Sequence, residues 1–168
     1  GHIIENLKIN SPDKNEQGLF GSFKGLIKNV GIVDVDITGS EHIGALCGVS
    51  YGEIYNCYST GKVTGLDKYT GGLAGRSQGS IDSCYSTADV YGETFSTGGL
   101  VGLIFYADKT INSYATGNVT STDGAGGFVG EVIGITQDRV NKIENCYATG
   151  NVSGKNLVGG FAGWLYAV

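Results

Sequence analysis

Apolar and polar residues in this chain come in short blocks, and the blocks return at a nearly fixed distance. No stretch carries a glycine-free apolar stripe at 3.6-residue spacing, so long helices are not expected. One block recurs as Gly18-Leu19-Phe20-Gly21, Ala45-Leu46-Cys47-Gly48, Gly72-Leu73-Ala74-Gly75, Gly99-Leu100-Val101-Gly102, Gly127-Phe128-Val129-Gly130 and Gly160-Phe161-Ala162-Gly163. Their final glycines stand 27, 27, 27, 28 and 33 residues apart. A second block, Ile54-Tyr55-Asn56-Cys57-Tyr58-Ser59-Thr60-Gly61, has counterparts at 81–87, 112–117 and 143–150, with degenerate versions at 4–9 and 27–32.

A repeat this short cannot bury its own apolar face, so neighbouring copies must stack. The expected fold is all-β: a single-domain right-handed-type β-helix (β-solenoid) of about six coils with a period of about 27 residues, spanning residues 1–168. At the usual strand spacing six coils make a rod about 30 Å long. Stacking turns each block position into a column. The cysteine column (Cys57, Cys84, Cys146) holds Leu7, Val30 and Ser113 elsewhere. The column two residues on (Ser59, Ser86, Ala115, Ala148) holds Ile9 and Ile32. Both are apolar or small and are expected to face inward. The tyrosine column between them (Tyr58, Tyr85, Tyr114, Tyr147) holds Lys8 and Gly31, and is expected to face solvent together with Thr60, Thr87, Thr116 and Thr149. The asparagine column (Asn6, Asn29, Asn56, Asn112, Asn145, with Ser83) belongs at a corner, where stacked amides bond along the axis.

The period also locates insertions. From each motif glycine to the next tyrosine position the distances are 10, 10, 10, 12 and 17 residues, and from there to the next motif glycine 17, 17, 17, 16 and 16. Added length therefore falls on one edge, at 103–109 and 131–142, where a solenoid's binding loops are expected.

Composition narrows the class. Glycine supplies 30 of 168 residues without a G-X-Y period, and Pro12 is the one proline, which excludes collagen. A net charge of −5 lacks the basic footprint of a nucleic-acid binder. No apolar run reaches the roughly 20 residues of a membrane helix. With no methionine, and with Gly1-His2 reading as the scar of a cleaved tag, the chain is expected to be part of a larger protein whose other domains are its first partners.

At the blocks above the sequence resembles the GLUG-motif repeats of bacteria, named for their Gly-Leu-x-Gly core; the resemblance runs from Ile4 to Gly163. Such repeats belong to large secreted or cell-surface proteins, including IgA-protease-type metallopeptidases and adhesin-like proteins. The resemblance implies a β-helix and an extracellular location, and says less about activity.

Catalytic chemistry is hard to find in the sequence. The metallopeptidase zinc motif H-E-x-x-H is absent and only His2 and His42 occur, so no metal and no cofactor are expected. The four cysteines lack C-x-x-C spacing and read as small buried hydrophobes, although Cys57 and Cys84 should lie on adjacent coils. Asp34 and Asp36 are the best carboxylate pair, expected to share one face of a strand, and solvated charges explain them more simply than catalysis. Asp67, Asp108, Asp123 and Asp138 read as turn formers, and the Asn-x-Thr/Ser patterns at Asn118 and Asn151 as incidental. The tyrosine column offers either a strip for sugars or protein, or cross-strand stacking that serves the sheet alone. The expectation is a non-catalytic surface module binding a host or glycan ligand through Tyr58, Tyr85, Tyr114, Tyr147, Phe105, Tyr106, Gln137 and Arg139. The alternative is a passive stalk, and a polysaccharide-active enzyme comes third.

Overall fold

The computed structural model describes residues 1–135 and 142–167, and among these there is no helix. All strand pairings are parallel, and strands from successive coils lie side by side in four sheets of ten, six, five and four strands. One coil runs through Tyr58–Gly65, Thr70–Gly71, Ala74–Ser77 and Ile81–Asp82 before the next begins at Tyr85. The six-stranded sheet carries the glycine motif as Phe20–Phe23, Cys47–Ser50, Ala74–Ser77, Val101–Phe105, Val129–Ile135 and Ala162–Ala167. Those six levels make about 5 turns with a period of about 28 residues, which is the β-solenoid expected.

The inward columns repeat apolar or small residues up the axis. Leu46, Leu73, Leu100 and Phe128 are fully buried, as are Ile54 and Ile81 on the adjoining five-stranded sheet and Ile37 and Val63 on the ten-stranded one. Phe128 and Phe161 continue the leucine column with rings stacked at 4.8 Å. The last glycine of the motif has a steric cause. A corner residue of the preceding coil packs directly on it, and that corner is left-handed: His42, Tyr69 and Ser96 have φ of 58°, 66° and 65°. A Cβ at Gly75 would stand 2.4 Å from the His42 backbone, and at Gly130 2.3 Å from that of Ser96. No side chain fits there.

The inward and outward faces of the columns are as the block pattern predicts, except in the first coil. Ile3 pairs with Gly31 and Ile4 with Ile32, whereas Lys8 pairs with Asp36 and Ile9 with Ile37. Leu7, Lys8 and Ile9 therefore do not continue the cysteine, tyrosine and serine columns. The reason is that the coil stacked on the first has two left-handed corners on this side. Asn29 (φ 59°) marks one and Asp34 (φ 54°) the other, and Asn6 (φ 58°), whose N–H donates to Val33, stacks at the second. Asn and Asp are the residues that tolerate this conformation, so sequence type alone does not tell the two corners apart.

Candidate functional site

The tyrosine column is real and faces outward. Tyr58, Tyr85, Tyr114 and Tyr147 are direct cross-strand partners, with ring centroids 4.9, 4.8 and 5.0 Å apart and planes within 4° of parallel. This geometry decides what the strip can do. Tyr85 and Tyr114 have a neighbouring ring on both faces, so the strip offers edges and hydroxyls rather than flat platforms. Tyr58 leans over Gly31, where a Cβ would lie 2.3 Å from its ring. Burial within the stack, and then Tyr114 and Tyr58, push the Tyr85 hydroxyl above its ordinary pKa.

Behind the rings the cysteine column is bonded along the axis. The Cys57 N–H donates to Cys84 Sγ (3.4 Å) and the Cys84 N–H to Ser113 Oγ (3.1 Å). Each of these side chains in turn donates to the carbonyl two residues back: Cys57 to Tyr55, Cys84 to Asp82, Ser113 to Ile111 and Cys146 to Glu144. Thiol and hydroxyl exchange freely in this column because both make the same two bonds. All four cysteines are free. The asparagines bond likewise, Asn56 Nδ2 to Asn29 Oδ1 at 2.7 Å and Asn145 Nδ2 to Asn112 Oδ1 at 3.1 Å, while Asp82 stands in as acceptor beside Ser83.

Asp34 and Asp36 do not share a face of a regular strand. The strand Val30–Gly39 shifts register between Ile32 and Val35, with Asp34 at the left-handed corner, so the two carboxylates flank a bend. Asp36 sits in a column of alternating charge, paired with Lys8 below and Lys62 above, and Lys62 pairs with Asp89. Cross-strand charge alternation accounts for it without catalysis. Among the described residues no three His, Cys, Asp or Glu side chains gather as a metal site requires.

Phe105 and Tyr106 lie where the coil-four insertion begins. Their rings meet edge to face at 4.7 Å, and the Arg76 guanidinium stacks on Phe105 at 4.4 Å. Gln137 and Arg139, with Asp138 and half of the longer insertion, lie outside the described residues. Next to Arg76, the half-buried His42 ring stacks on Tyr69 at 5.0 Å. Burial lowers the His42 pKa against the pull of Glu41.

The block pattern did not pick out a groove along the corner between the six- and five-stranded sheets. Two adjoining depressions, of about 480 and 260 Å³, share Leu26, Glu53 and Ser80. Tyr51 lines the larger depression together with Gly25, Gly52 and Gly79, and Tyr55 lines the smaller; the two tyrosines are 50% and 46% exposed. The cross-strand neighbours of Tyr55 are Lys28 and Asp82, so it has no ring to stack on. The signal available in the sequence for Tyr55 was a ring that the rest of its column, Lys28, Asp82, Ile111 and Glu144, does not repeat.

The comparisons with known proteins agree with this architecture. The GLUG motif matches residues 39–64 and 68–91. The chain carries GLUG repeats. The matched segments are the two that run into the glycine motifs at Gly48 and Gly75, and the GLUG columns continue in register through the later coils. Halomucin from Haloquadratum walsbyi is 37% identical over 67 residues, which is 39% of this chain and 1% of halomucin. The crystal structure of a "putative immunoglobulin A1 protease" from Bacteroides ovatus is similar with a TM-score of 0.77 and 26% identity, over 95% of this chain and 53% of that one. The GLUG solenoid thus corresponds to about half of that structure and to a very small part of halomucin.

Proposed function

We propose that this chain is a non-catalytic repeat module of an extracellular protein, secreted or displayed on the cell surface, and that it acts there as a rigid rod holding adjoining domains apart. The observation that carries this reading is the bonding of each column to itself. Tyrosine rings, asparagine amides and cysteine thiols, all groups that elsewhere bind ligands, are occupied by their equivalents one coil away. Extracellular location is supported by the likeness to a protein named for immunoglobulin A1, a secreted substrate. In the parent protein, deleting two whole periods, residues 49–102, should impair the neighbouring domains' function while leaving their folding intact. The isolated chain should turn over no peptide or polysaccharide. Hydrolysis lost on Asp36→Asn would sink the non-catalytic reading.

A second reading, adhesin-like binding of a host or glycan ligand, is favoured by the corner groove. Its two exposed tyrosines have no stacked ring among the described residues, and Asp108 of the coil-four insertion lines one end of it.

A further inference from the structure

We infer that the corner groove across coils one to four is a binding site for a short, uncharged, linear oligosaccharide lying along the solenoid axis. The inference rests on the second, ligand-binding reading. Shape is the first argument. The floor is the column Gly25, Gly52, Gly79, in which a Cβ at Gly52 would lie 2.0 Å from the Gly25 carbonyl oxygen and one at Gly79 1.8 Å from that of Gly52. Backbone stacking demands these glycines, and a floor bare of side chains is the consequence. On coil four the lining passes to Asp108 and Lys109. From coil one to coil four is about 14 Å at the usual strand spacing, so the site fits an elongated molecule that runs across the strands.

Side-chain chemistry is the second argument. Tyr51 lines one of the two adjoining depressions and Tyr55 the other, both on one coil, and a tyrosine pairs a flat apolar ring with a hydroxyl donor. Such a ring packs against the C–H face of a sugar while its hydroxyl bonds the rim of the same sugar. The charges balance: Lys24, Lys28 and Lys109 stand against Glu53, Asp82 and Asp108, with Lys109 Nζ 3.9 Å from Asp82. A polyanion gains nothing from such a lining, whereas sugar hydroxyls both donate to carboxylates and accept from ammonium groups. A peptide fits less well. Strand addition needs a free sheet edge, and the strands of coils two to four are paired on both sides.

The test is an array of neutral gluco-, xylo- and manno-oligosaccharides, with hyaluronan and heparin fragments as acidic probes, read with the intact chain. Titration calorimetry then follows on the strongest neutral hit. Binding should weaken roughly tenfold or more in Tyr51→Ala and Tyr55→Ala, whose melting temperatures should stay as in the parent chain, and should be unchanged in Tyr147→Ala on the ladder. Selective capture of the acidic probes overturns the proposal. Neutral binding insensitive to Tyr51 and Tyr55 overturns the site while the binding reading stands. Absence of any saccharide binding overturns the groove as a glycan site and leaves the rod reading untouched.

Discussion

Tyr55 and Tyr58 are three residues apart on opposite sides of one corner, and they do different work. Tyr58 belongs to a column in which every coil above it repeats the same ring, and those rings occupy one another's faces. Tyr55 lies between Lys28 and Asp82 and stays half exposed. In a stacked solenoid, repetition itself consumes a side chain: whatever recurs at every coil is bonded up and down the axis, and serves the rod. A side chain that appears once in its column has no such partner and is left for something else. The tyrosine ladder and the corner groove are the two outcomes of that rule, and each can be broken separately.

The largest effect is expected at the groove floor, where structure rather than ligand dictates the residue. Gly79→Ala puts a methyl group against the Gly52 backbone at a distance no side-chain motion relieves. We expect about 3 kcal/mol or more of lost stability by urea denaturation, at or beyond the upper end for overpacking. An unchanged midpoint would mean that the floor is free of side chains for some other reason. Next in size is the alkaline response of the buried Cys47 thiol on the six-stranded sheet. Burial, and then the charge of Cys57, hold it protonated far above the usual range. A folded value above the unfolded one means that this stability is complete below the unfolded value of roughly 8.5, and is lost as pH rises beyond it. The thiol should cost about 1.4 kcal/mol per pH unit, so about 2 kcal/mol at pH 10. Denaturation midpoints measured from pH 7 to 10 should fall accordingly, and Cys47→Ala should flatten the slope.

The same rule explains what could be read in the sequence. From coil three upward the residue type at each column recurs, so comparing copies separated inward from outward positions and placed the asparagines at a corner. The first coil was misread because Asn6 meets the left-handed requirement of the Asp34 corner as well as that of the Asn29 corner. Residue type carries the backbone conformation but not which corner of the coil has it. Cysteine and serine were legible as small and inward, yet their bonds to the carbonyl two residues back depend on a turn geometry that composition does not encode. The groove was illegible for the opposite reason. Neither Tyr51 nor Tyr55 has a ring at its position in the coil below or above, and a search for recurrence from coil to coil passes over them. Phe105 and Tyr106 were found through the insertion, which is a change of length and survives such a search.

The smaller predictions set the two tyrosine classes against each other. Tyr85→Ala removes a ring stacked on both faces, and at about 0.5–1 kcal/mol for each stacked pair the loss should be about 1–2 kcal/mol. Tyr85→Phe keeps the stack and should recover most of it. Tyr51→Ala removes a ring of the same size from the same solenoid, one with no stacked partner among the described residues and half its surface in water. Its effect should stay within about 0.5 kcal/mol, the range of ordinary surface substitutions. Thermal melts of the three variants side by side give the contrast directly. If Tyr51→Ala costs as much as Tyr85→Ala, exposure in the groove has been mistaken for availability and its rim is part of the scaffold. If both are silent, stacking up the ladder contributes little and the rod owes its stability to the leucine and isoleucine columns inside.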